Sequence, residues 1–137
     1  MTRVLFICTH NSARSQMAEG LLRALHGDRY EAVSAGSETS RVRPEAVAVM
    51  AEAGIDIFSQ RSKAIDEIDG AVDVAVTVCD DAKEACPVIP GATRILHWSL
   101  PDPSQAEGTA EERLAVFRDV RDDLRRRIEE TFGGDSG

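Results

Sequence analysis

A chain of 137 residues with 42% hydrophobic content supplies one core and one sheet covered by helices, with no call for a second domain. A formal net charge of -8 argues against nucleic acid and anionic membranes as partners. A small anionic substrate stays open, because beyond a Debye length of roughly 8 Å the wider field is screened.

The first predicted element is a strand over Val4–Ile7 that delivers Cys8 into the polar turn Thr9-His10-Asn11-Ser12-Ala13. That apolar run is too short for a signal peptide or a membrane span, so the expected location is the cytoplasm. A helix beginning near Arg14-Ser15 carries Met17, Leu21, Leu22 and Leu25 on one face. Tyr30 to Ser34 reads as a short strand, and Ala35-Gly36 opens a polar loop to Arg43. Pro44 suits the first turn of a second helix with Ala46, Val47, Met50 and Ala53 as its apolar side and Gly54 as its stop.

Asp73 to Cys79 contains an unbroken Val-Ala-Val-Thr-Val run, the pattern of a parallel strand covered on both faces. A short helical segment is predicted over Asp80–Ala85, a fourth strand over Thr93–His97, and a loop from Trp98 to Thr109. From Glu111 to about Phe132 a long helix places Leu114, Phe117, Val120, Leu124 and Ile128 on a core-facing stripe. Its Arg121, Asp122, Arg125, Arg126 and Glu129 read as a solvated, salt-bridged face. The expected architecture is a single α/β domain over residues 1–132, with an open four-stranded parallel sheet flanked by helices and a tail at 133–137. Ligands of such sheets bind at the carboxyl ends of strands, so Cys8, Cys79 and the loop after His97 should share one rim.

Thr9, His10, Asn11, Ser12, Ala13, Arg14 and Ser15 form the candidate oxyanion cradle. Arg14 can fold back to pair with two oxygens of a phosphate-like anion, and the helix start aims unpaired N–H groups at the same point. That fixed positive charge favours thiolate over thiol at Cys8, and Ser15 can donate to the sulfur or merely cap the helix. A cysteine ending a buried strand is more often a small core hydrophobe. The strand, polar turn and helix around Cys8 favour the nucleophile. An odd cysteine count, three, points to thiol chemistry or metal rather than to a disulfide framework. His10 reads as solvent-facing rather than as a base, and His26 and Trp98 as helix-end and packing residues.

The run His10-Asn11-Ser12-Ala13-Arg14-Ser15-Gln16-Met17-Ala18-Glu19 resembles the low-molecular-weight protein tyrosine phosphatase superfamily, and within it the arsenate reductase branch. Val76-Thr77-Val78-Cys79-Asp80-Asp81-Ala82 and Ala85-Cys86-Pro87-Val88-Ile89-Pro90 continue the match to the thioredoxin-coupled reductases. The resemblance implies a relay in which Cys8 attacks arsenate, Cys79 attacks Cys8 and releases arsenite, and Cys86 closes a Cys79–Cys86 disulfide for thioredoxin. Were Asp80–Ala85 a rigid helix, Cys79 and Cys86 would stand about 10 Å apart, beyond the roughly 4.4–6.8 Å Cα separation of a disulfide, so the segment must unwind. Taken singly, Cys79 reads as packing and Cys86 as a loop cysteine; a zinc site with His97 is weak on spacing.

Asp102, between Pro101 and Pro103, matches the superfamily's general acid, although a turn aspartate is the plainer reading. Several reductases of this kind place potassium behind the loop through residues matching Asn11, Glu19 and Ser34 plus an acidic group. Here Lys63 occupies the acidic position, so the ammonium is expected to replace the ion, pairing with Glu19 and ordering Asn11. The implied enzyme is a monomer with no bound cofactor or metal, taking arsenate, with phosphate or sulfate competing. Thioredoxin is the external reductant, with glutathione and glutaredoxin as the alternative. A phosphatase and a non-catalytic oxyanion or thiol sensor are the rival functions.

Overall fold

The computed structural model describes residues 1–80 and 92–133. All of the predicted helix at Asp80–Ala85 beyond its first residue, Cys86 and most of the predicted tail lie outside the described residues.

Four strands, β1 Thr2–Cys8, β2 Tyr30–Gly36, β3 Val74–Cys79 and β4 Arg94–Ser99, form one parallel sheet in the order β2-β1-β3-β4. Helices α1 Arg14–His26, α2 Pro44–Glu52 and α3 Ala110–Phe132 complete the α/β architecture expected from the alternating pattern. Because β1 is central, its side chains are buried in both directions. Val4 and Phe6 join the large core formed with Met17, Leu21 and Leu22 of α1 and Phe117, Val120, Leu124 and Ile128 of α3. Leu5 and Ile7 face the other way, into a smaller cluster with Ala35 and Ala75 that Val33, Ile65 and Ile68 cover. Each such aliphatic side chain contributes about 1.5–3 kcal/mol relative to exposure, so the sheet centre is the most rigid platform available for Cys8.

Aromatic rings close the core, with Phe6 against Trp98 at 6.0 Å between centroids and Phe132 edge-on to Tyr30 at 5.0 Å. At the start of α3, Thr109 and Glu112 cap each other reciprocally, the Glu112 amide donating to Thr109 Oγ1 at 3.1 Å and the Thr109 amide to Glu112 Oε1 at 3.0 Å.

Two strand ends and one helix face differ from the sequence reading. β2 runs on through Ala35 and Gly36, which stay in register with Ile7 and Cys8, because the Gly36 amide finds the Lys63 carbonyl at 2.8 Å. β4 includes Trp98 and Ser99, which pair with Val78 and Cys79, and a single 3-10 turn at Pro103–Gln105 interrupts the loop beyond. In α2 the buried residues are Ala46, Val49 and Met50, with Val47 on the edge, since three- and four-residue steps from Ala46 reach Val49 and Met50. Gly54, at a φ of 79°, follows the end of that helix as expected.

The polar face of α3 is salt-bridged, but part of it grips α2. Arg118 pairs with Glu52 at 2.9 Å, and Arg121 donates to the Val49 carbonyl at 2.7 Å. Among the described residues no helix is long and apolar enough to cross a membrane.

Candidate active site

Cys8 ends β1 as a free, buried thiol, and its Sγ lies 2.9 Å from Ser15 Oγ. The turn from Thr9 to Ala13 wraps around that position, and its carbonyls are held outward by neighbouring loops. The Thr9 carbonyl accepts from the Glu38 amide at 2.9 Å and Ser37 Oγ at 3.2 Å, the His10 carbonyl from Ser62 Oγ at 3.0 Å, and the Ser12 carbonyl from the Arg43 amide at 2.8 Å. Peptide planes tethered by their oxygens in this way keep those carbonyls engaged with neighbouring segments, and an anion cradle needs its N–H groups rather than its carbonyls at the ligand. His10 itself keeps a largely exposed ring 3.6 Å from Glu38, in keeping with a solvent-facing residue.

The turn needs a left-handed residue, and Asn11 supplies it with φ at 51°. Its side chain holds the conformation. Asn11 Oδ1 accepts from the Lys63 amide at 2.8 Å and from Gln16 Nε2 at 2.8 Å, while Asn11 Nδ2 donates to Ser15 Oγ at 2.8 Å. Ser15 therefore belongs to the sulfur and to Asn11, and α1 has no side-chain cap.

Arg14 is buried, with Nη1 donating to the Leu100 carbonyl at 3.1 Å and Nη2 at 3.8 Å from Asp102 Oδ2. Asp102 is fixed by Ser104, whose amide and hydroxyl donate to Asp102 Oδ1 at 3.0 and 2.6 Å. The sheet order thus brings the loop after β4 across to the loop after β1, and acid, arginine and thiol converge on one rim.

Behind the cradle, Ser34 Oγ donates to Glu19 Oε1 at 2.6 Å, Arg23 pairs with Glu19 through its other oxygen, and Lys63 Nζ stands 3.8 Å from Glu19 Oε1. These oxygens do not fit an alkali cation. Glu19 already faces two cationic side chains, and Asn11 Oδ1 already accepts two hydrogen bonds. Asn11 is ordered by the backbone amide of Lys63 rather than by its ammonium, which turns to Glu19 and to the Arg61 carbonyl at 3.0 Å. Burial pushes the Lys63 ammonium below the ordinary lysine range, with Glu19 opposing that shift. No cluster of three or more His, Cys, Asp or Glu side chains suited to a metal occurs among the described residues.

Cys79 ends β3 fully buried and is disulfide-bonded. In the β1–β3 register Ile7 faces Thr77, so Cys79 stands one residue beyond the level of Cys8 on the adjacent strand. His97 is engaged with Thr77, its Nδ1 lying 2.8 Å from Thr77 Oγ1. Gln16 was not singled out by sequence. It is fully buried, and its Nε2 also reaches the Arg61 carbonyl at 2.9 Å, tying the cradle to a loop 45 residues away. The available signal was a polar side chain beside Met17 on the inward side of α1.

The fold and this site bring a buried thiol, an arginine and a carboxylate to one rim of a parallel sheet. The match to the low molecular weight phosphotyrosine protein phosphatase model spans residues 3–133, and the chain belongs to that family. It is 48% identical over 126 residues to an arsenate reductase of Halalkalibacterium halodurans, covering 91% of each chain. A solved arsenate reductase in its phosphate-binding state superposes with a TM-score of 0.82 at 36% identity, covering 95% of both chains. A thioredoxin-dependent arsenate reductase of Corynebacterium glutamicum is similar at 30% identity and a TM-score of 0.64, over 96% of this chain and 63% of that one.

Proposed function

We propose that this chain reduces arsenate to arsenite by a three-cysteine relay. The observation that carries the reading is the placement of Cys8 and Cys79 at the carboxyl ends of adjacent strands, one residue apart in level, since cleavage of a phosphomonoester requires only Cys8, Arg14 and Asp102. The arsenate reductases among its relatives support the substrate.

In the first step the Cys8 thiolate attacks arsenic held by Arg14 and the amides of residues 9–15. A sulfur–arsenic bond forms, and Asp102 protonates the departing oxygen, which leaves as water. In the second, the Cys79 thiolate attacks Cys8 Sγ. The Cys8–Cys79 disulfide forms, and the pair of electrons from the broken sulfur–arsenic bond stays on arsenic, reducing it from the pentavalent to the trivalent state. In the third, Cys86 attacks Cys79 and expels Cys8 as thiolate, a leaving group favoured by Ser15 and the cradle. Two thiols have been oxidised and one arsenate reduced.

The free thiol at Cys8 and the disulfide-bonded state of Cys79 support this end state; Cys86 enters the relay through the resemblance of its sequence segment alone. The thioredoxin-dependent relative from Corynebacterium glutamicum supports thioredoxin as the dithiol that reopens the disulfide. Phosphate and sulfate share the tetrahedral shape of arsenate and should compete, and the phosphate-bound relative favours this. We place the enzyme in the cytoplasm, where such a reductant is available, and treat it as a monomer without bound cofactor.

The test supplies arsenate and NADPH with either thioredoxin and its reductase or glutathione and glutaredoxin, and compares the unaltered chain with Cys86→Ser. Loss of thioredoxin-driven turnover in the variant is expected. Unchanged turnover would remove Cys86 from the mechanism, and hydrolysis of phosphomonoesters without arsenite formation would favour the phosphatase.

A further inference from the structure

A line of hydrogen bonds runs from the protein surface to the sulfur, with every donor pointing the same way. Arg23 Nη1 donates to Gln60 Oε1 at 3.1 Å, Gln60 Nε2 to Gln16 Oε1 at 2.8 Å, and Gln16 Nε2 to Asn11 Oδ1 at 2.8 Å. Asn11 Nδ2 then donates to Ser15 Oγ at 2.8 Å, and Ser15 Oγ lies 2.9 Å from Cys8 Sγ.

The direction of each amide is fixed by a backbone group that accepts no other arrangement. Asn11 Oδ1 takes the Lys63 amide proton at 2.8 Å, so the oxygen end must face that way. Gln16 Nε2 points at the carbonyls of Arg61 and Asn11 at 2.9 and 3.0 Å, which only its hydrogens satisfy. Gln60 Nε2 points at the Gln16 carbonyl at 3.0 Å. With its oxygen receiving the Asn11 proton, Ser15 has its own hydroxyl proton left for the sulfur.

We infer that Gln16 and Gln60 are positioning residues that, with Arg23 at the outer end, polarise Ser15 toward Cys8 and hold the nucleophile as thiolate. Hydrogen bonds in series strengthen one another in a low-dielectric interior, and a chain headed by a guanidinium delivers its polarity to the far end. Gln16 and Ser15 are fully buried, whereas Arg23 is half-exposed, so the line crosses from solvent to the buried cradle. The inference rests on Cys8 being the nucleophile but not on the identity of the substrate.

Apart from the Arg23 guanidinium, which Arg23→Met takes away from Glu19, the charged groups around the sulfur stay constant in the test. These are Arg14 in the cradle, Asp102 from the loop after β4, His10 with Glu38 at the rim, and Glu19 with Lys63 behind the loop. In the Cys79→Ser/Cys86→Ser chain, Cys8 is the sole thiol among the three cysteines. Its alkylation by iodoacetamide is followed against pH by intact mass, without arsenate or reductant.

Gln60→Met keeps size and charge while removing the donor, and should slow alkylation about twofold near neutral pH, with rates converging at alkaline pH. Gln16→Met, one link nearer, should slow it about fivefold. Arg23→Met should act like Gln60→Met, and Arg23→Lys should restore the parent profile. A merely structural role has the opposite sign, because a loosened cradle exposes buried Cys8 and speeds alkylation at every pH. Superimposable profiles for parent and Gln60→Met, or faster alkylation throughout, would overturn the inference. If Gln16→Met does not fold, the loop variant Gln60→Met and the surface variants of Arg23 decide the matter. An arsenate-inactive chain with the expected alkylation shifts would sink the reductase reading alone.

Discussion

Asp102 and Arg14 approach to 3.8 Å although 88 residues separate them, because the order β2-β1-β3-β4 lays the loop after β4 against the cradle after β1. Asp102 is the proposed acid for the oxygen lost from arsenate. Asp102→Asn should therefore cut the rate of adduct formation by about 10²–10⁴-fold, the usual range for a positioned general acid. Rapid-quench arsenite yields in single turnover, compared with phosphate affinity by calorimetry, separate this from lost binding. Affinity should change far less than rate.

Ser15→Ala removes the donor to Cys8 and strands Asn11 Nδ2, which has Ser15 Oγ as its partner at 2.8 Å. A buried donor without a partner costs about 1–3 kcal/mol, so urea unfolding should show a loss of that size. Turnover should fall by about tenfold or more, since a hydrogen bond to a charged sulfur is worth about 1.5–3 kcal/mol. Equal stability and turnover in parent and variant would remove Ser15 from both roles.

Gly36→Ala tests the close approach of β2 to the cradle. An added Cβ would lie 2.8 Å from the Asn11 amide nitrogen and from the Thr9 and Glu38 carbonyl oxygens, all backbone atoms that cannot rotate away. The substitution should destabilise the chain by about 1–3 kcal/mol, as overpacking does, and weaken phosphate binding by displacing the amides of residues 9–11. Melting curves and phosphate titration measure the two effects separately.

Lys63 carries a pH signature. Burial holds its ammonium below the ordinary value of about 10.4 in the unfolded chain. Across the window between the two values the unfolded state binds more protons, so stability should rise with pH there. Below that window the cost of burying the ammonium is constant. Lys63→Met should abolish the contribution, which urea midpoints at stepped alkaline pH would detect. Because the cationic side chains facing Glu19 leave no fit for an alkali ion, turnover in potassium and in sodium should be indistinguishable. A clear potassium activation would contradict this arrangement.

Much of the fold was legible because hydrophobic periodicity is a local property. The run ending at Cys8, the Val-Ala-Val-Thr-Val strand and the α3 stripe each carried their own burial pattern, and the structure buries them accordingly. Element ends were less legible. Ala35, Gly36, Trp98 and Ser99 join strands because partners on β1 and β3 are still in register beside them, and no window of sequence contains that partner. The cradle residues Cys8 to Ser15 were legible as one contiguous motif, whereas Gln16 and Gln60 were not, since a glutamine has no intrinsic reason to be buried until another chain segment supplies its hydrogen bonds.

The amino-acid order by itself determined the alternating α/β pattern, the thiol at a strand end and the Cys8-to-Ser15 turn, since each depends on neighbours a few residues apart. Only the tertiary structure decided that Lys63 presents its backbone amide to Asn11, that Arg14 meets Asp102, and that the side-chain amides align toward Cys8. Those relations depend on directional hydrogen bonds and charges across long sequence separations, and direction exists only once the sheet order has brought the loops together.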